Sequence, residues 1–372
     1  MKYRNFGKMG MEVSALGFGC MRFPMVKQGE KEVIDQERAI TMIRHAIDNG
    51  VNYVDTAYPY HDGESEILLG KALQDGYREK VYIADKCPVW LVKKEEDFEK
   101  YLDEQLEKLG VDSIDFYLLH ALDKQRMEEL VKKFNLIKHM EKAKADGKIK
   151  HIGFSFHDDL ETFKEIVDYY EGWEFCQIQY NYVDVDYQAG LEGLRYAAEK
   201  GLGVVVMEPL RGGRLADVAP HLADAFPKEK TPVEWALDFL WDQPEVSLLL
   251  SGMSDEKQVE DNLLYADRSA AGMLSEKERE IYPKAKKIFD TMALVRCTKC
   301  GYCMPCPSGI DIPGTFAIYN STAVSGEEKA KKDYAALETK ADACVKCLRC
   351  EQVCPQHIGI SSLMLEMTES FE

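Results

Sequence analysis

Residues 52–74 read NYVDTAYPYHDGESEILLGKALQ. The first six are short, apolar and β-prone, as a buried strand is. From Glu64 onward the apolar residues fall at helical spacing. Between the two lie a proline and a glycine, the residues of a tight turn. The stretch is therefore strand, polar turn and helix in 23 residues or so, one βα unit. Working outward, the same unit recurs. Strand candidates are SALGFG, NYVDTA, VYIADK, IDFYLLH, KHIGFSF, EFCQIQYN, GVVVMEPL and VSLLLSG. The helices between them are QERAITMIRHAIDNG, ESEILLGKALQ, EEDFEKYLDEQLEKLG, a long one from Arg126 to Asp146, LETFKEIVDYY, LEGLRYAAEKG, TPVEWALDFLW and DEKQVEDNLLYA. Gly50, Gly110, Gly147 and Gly201 close helices as C-caps. Thr231 and Pro232 open one as N-cap and first helical residue. Eight strands alternating with eight helices over about 265 residues predict an α/β fold, a (β/α)8 TIM barrel, after a short hairpin in YRNFGKMGMEVS. An open doubly wound sheet is the alternative. No G-x-G-x-x-G follows the first strand, which counts against it.

The chain has 372 residues, enough for a large domain and a small one. We divide it at residues 1–285 and 286–372. No apolar run reaches eighteen residues, so no membrane span is expected. The first residues lack a long apolar segment and a cleavage site, so the protein is expected in the cytoplasm. A net charge of −18 speaks against nucleic-acid and anionic-membrane surfaces. It suits solubility, and a basic protein partner if there is one.

A barrel of this kind carries its site at the C-terminal strand ends. The second strand ends at Asp55, with Tyr58 and Tyr60 just beyond; the third ends at Lys86; the fourth ends at His120. Singly, each has an ordinary structural role as cap, loop anchor or packing residue. Together, on three consecutive strands, they have a chemical logic. A phenol with a pKa near 10 is a poor acid at neutral pH. A neighbouring ammonium lowers that value, and a carboxylate holds the ammonium in place. An imidazole can donate a hydrogen bond to a carbonyl oxygen. The set can protonate that oxygen as hydride reaches its carbon.

DTAYPYHDGESEILLGKAL, YIADK, DFYLLH and GKIKHIGFSFH resemble the aldo-keto reductase family in order and spacing, over roughly residues 3–265. The resemblance implies a barrel that binds NADP or NAD without a Rossmann fold and acts on a small carbonyl or alcohol substrate. It implies Tyr60 as proton donor, Lys86 as the partner that lowers its pKa, Asp55 as the partner of Lys86, and His120 as the residue orienting the carbonyl. Tyr58 would line the pocket. Ser155 and Gln177 match positions that bind the nicotinamide carboxamide. Phe156 stands where the family often has Asn, and Met207 where many members stack an aromatic ring. Leu210, Arg211 and Gly212 would line the pyrophosphate. Ser251, Gly252, Ser254 and Gln258, with Asp261 and Asn262, would face the adenosine. Many NADP-dependent members carry Lys and Arg there, whereas Lys257 is the single nearby cation in this stretch, which opens NAD as the cofactor. A helix N-cap at Ser254 is the structural role for the same segment.

Eight of the 11 cysteines lie between Cys297 and Cys354. One run is Cys297, Cys300, Cys303 and Cys306 followed by proline; the other is Cys344, Cys347, Cys350 and Cys354 followed by proline. The second has the spacing of a bacterial ferredoxin run, and the first is one residue short before its last cysteine. In a two-cluster ferredoxin the fourth cysteine of each run binds the other cluster. One 4Fe-4S cluster is thus expected on Cys297, Cys300, Cys303 and Cys354, the other on Cys344, Cys347, Cys350 and Cys306. Zinc is the alternative metal, but its sites pair two knuckles rather than triple runs. Cys20, Cys87 and Cys176 read as buried or pocket thiols.

Clusters move single electrons and a hydride carries two. The ferredoxin-like, α-helical tail could relay electrons for a redox partner protein, sense redox state, or staple a small domain. The reading that unites both halves is an NAD(P)H-dependent oxidoreductase acting on an aldehyde, ketone or sugar-like carbonyl. The alternative is an electron-transfer protein whose barrel is a binding scaffold with little turnover.

Overall fold

The computed structural model describes residues 1–29 and 31–371. Contacts divide the chain into two compact units. One is Met1–Pro209 with Leu237–Leu274; the other is Leu210–Ala236 with Ser275–Glu372.

The first unit contains a closed barrel of eight parallel strands. They are β1 (Leu16–Gly19), β2 (Tyr53–Asp55), β3 (Tyr82–Cys87), β4 (Ile114–Leu122), β5 (Ile149–Phe156), β6 (Phe175–Gln179), β7 (Gly203–Met207) and β8 (Leu248–Gly252). Each strand pairs with its successor, and β8 closes on β1. The helices that follow them in turn are α1 (Gln36–Asp48), α2 (Glu64–Ala72), α3 (Asp97–Leu109), α4 (Leu136–Ala145), α5 (Leu160–Tyr169), α6 (Gly190–Lys200), α7 (Pro232–Trp241) and α8 (Glu256–Asp267). The eight strands and seven of the eight helices stand where the sequence places them.

Aspartates start several helices. Asp35, Asp159 and Asp255 each accept a backbone N–H of the first turn, satisfying donors that have no partner within the helix. Gly110 and Gly201 take left-handed conformations at helix ends.

The barrel is filled, not hollow. Tyr53, Ala84, Phe116, Leu118, Phe175, Val205, Leu248 and Leu250 form one core cluster. A hairpin of Tyr3–Asn5 and Glu12–Ser14 supplies Phe6 to it. The Phe6 ring lies 4.9 Å from Phe116 and 5.7 Å from Phe175. A Cβ at residue 203 would come within 2.2 Å of Phe6, so glycine there admits the ring.

Two features depart from the sequence reading. An exposed hairpin of Met25–Gln28 and Lys31–Ile34 follows β1. The segment expected as one helix from Arg126 to Asp146 is broken. It runs as wide π-type turns over Met127–Lys132, meets Asn135 in a left-handed conformation, and becomes regular only in α4. The buried residues explain the break. Met127 and Val131 are four apart, but the next buried position is Leu136, five further on. A regular helix turns every 3.6 residues or so, and the wide turns absorb the surplus.

The second unit holds Thr231, which caps α7 through a hydroxyl accepting from Glu234 N at 3.2 Å. It also holds α9 (Ile281–Met292), α10 (Ile312–Ser325), α11 (Glu327–Ala335) and α12 (Ile360–Phe371). Phe226, Trp235 and Tyr282 form an aromatic group beside α9, with ring centroids 5.6 to 6.2 Å apart. Val295, Ile310, Ile312, Phe316, Tyr334, Ile360, Met364 and Met367 make a small core, and cysteines of both runs pack against it. Among the described residues no helix is long and apolar enough to cross a membrane.

Candidate active site and cysteine centres

Strand parity builds the site. Two residues beyond core residues Tyr53, Ala84, Leu118, Phe175, Val205 and Leu250 stand Asp55, Lys86, His120, Gln177, Met207 and Gly252. Side chains two apart on a strand share a face. The inward face of six of the eight strands thus ends in one candidate residue at the C-terminal end of the barrel. Ser155 is paired with Gln177 across β5 and β6.

Lys86 is the centre. It is buried, and its Nζ donates to Asp55 Oδ1 at 2.6 Å, to the Thr56 carbonyl at 2.6 Å and to the Tyr60 hydroxyl at 3.5 Å. Tyr60 reaches it from a 3-10 turn, Tyr60–Gly63, that follows β2. His61 and Asp62 in that turn have positive φ, which side chains rarely adopt. The turn is pinned: Phe23 N donates to His61 Nε2 at 3.2 Å, and the two rings stack at 5.3 Å. Burial lowers the His61 pKa, which keeps that nitrogen free to accept.

His120 stands edge-on to Tyr60, with ring centroids 6.3 Å apart. Burial first, then Lys86, His157 and Arg126, push its pKa well below the usual imidazole range. It is neutral at neutral pH and can donate one N–H without carrying charge. Trp90 lies 5.0 Å from His120, and the Arg126 guanidinium lies 5.7 Å from the Trp90 ring. Neither Trp90 nor Arg126 was singled out from the sequence. Burial raises the Asp55 carboxyl, and the Lys86 ammonium opposes that rise.

Behind Lys86 lies a buried polar network that the sequence reading missed. Asp85 and Glu66 are both fully buried. Lys86 N donates to Asp85 Oδ1 at 2.8 Å; Gln105 Nε2 donates to Glu66 Oε1 at 3.0 Å and to the Lys86 carbonyl at 3.1 Å. Lys108 caps the other Glu66 oxygen at 2.8 Å. Burial, then Glu66, raise the Asp85 carboxyl well above the ordinary range. Both effects favour the protonated form of Asp85. A charged residue beside Lys86 in an otherwise apolar strand was the available signal. Tyr58 turns to α3 rather than to the barrel mouth: its hydroxyl donates to Glu104 at 2.9 Å and Lys108 sits 4.0 Å from its ring.

The nucleotide residues divide by environment. Ser155 Oγ accepts from Ala121 N at 2.7 Å. Gln177 is buried, and its Oε1 has no hydrogen-bond partner among the described residues. A buried orphan acceptor at the barrel end fits the N–H2 of a carboxamide. Ser251 Oγ accepts from Asn262 Nδ2 at 3.1 Å. Ser254 is not the cap of α8; Asp255 is. The Ser254 hydroxyl instead donates to the Arg22 carbonyl at 3.1 Å, and its N–H donates to Gln258 at 2.9 Å. Asp261 pairs with Lys257 at 2.7 Å. A Cβ at Gly252 would lie 3.2 Å from the Arg22 side chain. Lys257 is therefore not the single cation at this end: the loop after β1 brings Arg22 there, some 230 residues away in sequence. In the second unit, Leu210 leads into a 3-10 turn of Arg211–Gly213, with Gly212 at φ 64°. Arg211 is fully buried, its guanidinium 5.1 Å from the Phe289 ring.

The eight clustered cysteines sort into two groups. Burial, then the neighbouring Cys300, Cys297 and Cys354 thiols, push Cys303 up to about 12. Cys303, Cys306, Cys344, Cys347 and Cys350 line one cavity of about 200 Å³. Among the described residues no three His, Cys, Asp or Glu side chains close around a point as a single ion requires. Thiols spread around a cavity suit a multinuclear centre. Cys20, Cys87 and Cys176 are buried, and burial raises all three thiols. No disulfide joins the described cysteines.

Comparison with known proteins bears on both halves of the chain. Residues 15–271 match the Aldo/keto reductase family, and residues 293–358 match the 4Fe-4S dicluster domain. L-galactose dehydrogenase of Arabidopsis thaliana is 29% identical over 288 residues, 71% of this chain and 87% of that protein. The holo form of aldo-keto reductase AKR11C1 from Bacillus halodurans superposes with a TM-score of 0.64 at 25% identity, covering 77% of this chain and 96% of that one. The thermostable aldo-keto reductase Tm1743, solved with the inhibitor epalrestat, gives 0.64 at 26% identity, with 77% and 100% covered.

Proposed function

The chain belongs to the aldo/keto reductase family and carries a C-terminal 4Fe-4S dicluster domain, and from that premise we propose that it reversibly reduces the carbonyl of a small sugar-like substrate with NADH or NADPH. The observation that carries the reading is Lys86, held 2.6 Å from Asp55 and 3.5 Å from the Tyr60 hydroxyl at the buried end of the barrel. The bound nicotinamide supplies the hydride. Gln177 and Ser155 would hold its carboxamide, Met207 would pack on its ring, and Leu210 with Gly212 would lie along the pyrophosphate. Ser251, Gly252, Ser254, Gln258, Asp261 and Asn262 would face the adenosine, with Arg22 and Lys257 as cations at that end.

Tyr60 gives its proton to the carbonyl oxygen. The Lys86 ammonium stabilises the phenolate left behind, and Asp55 and the Thr56 carbonyl hold that ammonium in place. Neutral His120 donates its N–H to the same oxygen and fixes the face of the carbonyl. Trp90 and Arg126, beside His120, offer an indole face and guanidinium N–H groups to an oxygen-rich substrate. The dehydrogenase relative, whose name specifies L-galactose, favours a sugar among carbonyl compounds.

Residues 1–285 serve as the catalytic module and 286–372 as the cluster module in this reading, in the reducing cytoplasm. Cys297, Cys300, Cys303 and Cys354 would bind one cluster; Cys344, Cys347, Cys350 and Cys306 would bind the other. Tyr60→Phe tests the chemistry with a sugar and aldehyde panel and both nucleotides. A loss of kcat of about 10²-fold or more is expected, the range of a general acid; a mutant that reduces carbonyls at the wild-type rate overturns the assignment.

A further inference from the structure

The two cysteine runs are pseudo-symmetric, and up to the third cysteine each residue of one has a counterpart in the other. Thr298, buried, corresponds to Val345, which is 71% exposed. Gly301 at φ 82° corresponds to Leu348 at φ 61°. Tyr302 corresponds to Arg349, and Lys299 to Lys346. Glycine takes a left-handed conformation without strain, while leucine does not. The second run thus holds an exposed leucine in an unfavourable backbone conformation where the first has glycine. Strain kept at a surface points to a use for that side chain.

The rim around the second quartet extends the pattern. Met304, Val345, Leu348 and Val353 line its cavity, and these are four of the eleven large apolar side chains exposed among the described residues. Lys346 and Arg349 line it too, and no Asp or Glu does. That is a local excess of cations in a chain with 65 acidic and 47 basic residues. Cys347, one of the quartet, is exposed. Exposed apolar side chains with cations among them are a composition that protein interfaces use. Exposed apolar residues gathered in one place mark such sites more than scattered ones do.

We propose that this rim is the docking surface for a small acidic one-electron carrier protein. The proposal rests on the reading of Cys306, Cys344, Cys347 and Cys350 as cluster ligands. The acidic remainder of the chain repels such a carrier, while Lys346 and Arg349 attract it, so encounter is steered to this face. Met304, Val345, Leu348 and Val353 then exclude water from the contact. In the exchange one electron leaves one centre and enters the other, and no bond forms or breaks. The bulk charge of −18 suggests a basic partner, whereas the local charge at this rim favours an acidic one.

The test uses anaerobically prepared, cluster-loaded full-length protein, with an acidic flavodoxin and a basic cytochrome c as probes. Binding is read by calorimetry and electron exchange by stopped flow, at salt from about 50 to 300 mM, where screening of surface charge strengthens. The flavodoxin is expected to bind, and to bind at least tenfold more weakly at the higher salt. K346E/R349E should lose at least tenfold in affinity with NAD(P)H-dependent carbonyl turnover unchanged. L348G should weaken binding without lowering stability. Preference for the cytochrome overturns the proposal. So does a charge-reversed variant whose cluster potential moves while affinity and salt dependence stay, since that is charge balancing of the cluster alone. Self-association of the chain through this face, read by sedimentation, also overturns it. Loaded clusters with no flavodoxin binding remove the docking site only. Absence of 4Fe-4S iron and of its paramagnetic signal removes the cluster reading and the docking site together.

Discussion

Lys86 is a buried cation whose attachments decide both chemistry and stability. Its partner Asp55 is also buried, so removing either charge strands the other. Lys86→Met is expected to abolish carbonyl reduction and to cost about 3–5 kcal/mol of stability, the penalty for breaking a buried pair. Adding Asp55→Asn should restore part of the stability and none of the activity, read by urea midpoints beside kcat. Asp85 carries a pH signature. Its folded-state pKa is raised by burial and then by Glu66, so the folded chain holds that proton more tightly than the unfolded chain. The associated stability is full below the ordinary aspartate value of about 3.9 and is lost as pH rises through the folded value. Wild type should therefore lose stability relative to Asp85→Asn as pH is raised above about 4, and parallel pH profiles for the two would refute the raised Asp85 value. Gln177→Leu removes the orphan acceptor. The KM for NAD(P)H should rise about tenfold, one charge-neutral hydrogen bond, with a smaller effect on kcat.

At the scale of elements, the site follows from where turns and glycines fall. The strained turn Tyr60–Gly63 aims the phenol inward, and its lock is the contact of His61 with Phe23 from the loop after β1. The base of the barrel depends on Gly203, which leaves room for Phe6. Gly203→Ala should destabilise by about 1–3 kcal/mol, the usual cost of overpacking, with little change in kcat for the folded fraction. Helix α4 shows what periodicity reads well and badly. Its apolar spacing announced a helix, but the five-residue step from Val131 to Leu136 marks a break that a helix-period search smooths over. The hairpin at Met25–Gln28 and Lys31–Ile34 gave no apolar alternation to detect, since its residues are mostly exposed.

For the whole molecule, the two units rest on different physics. The barrel is closed around a continuous apolar core. The cysteine-bearing unit has a small core whose edges are thiols, and such domains depend on a staple. Removing iron anaerobically is expected to make residues 293–371 sensitive to limited proteolysis while the barrel fragment resists. Equal resistance with and without iron would show that the clusters are not structural. Loaded protein should contain about eight irons per chain if both quartets are filled, and about four if the shortened first run forfeits one cluster.

The sequence by itself determined the alternation of strand and helix, the closing count of eight, the residue types at the strand ends and the two cysteine runs. All of these are written in short-range spacing, because a strand alternates every second residue and a cluster motif lies within a dozen or so. Tertiary structure alone decided which side chains meet. It set Arg22 against Gly252, buried Glu66 beside Asp85, turned Tyr58 onto α3, and left Val345 and Leu348 exposed while Thr298 is covered. Contact and exposure between residues far apart in the chain are fixed when the barrel closes and the core packs, and no local pattern encodes them.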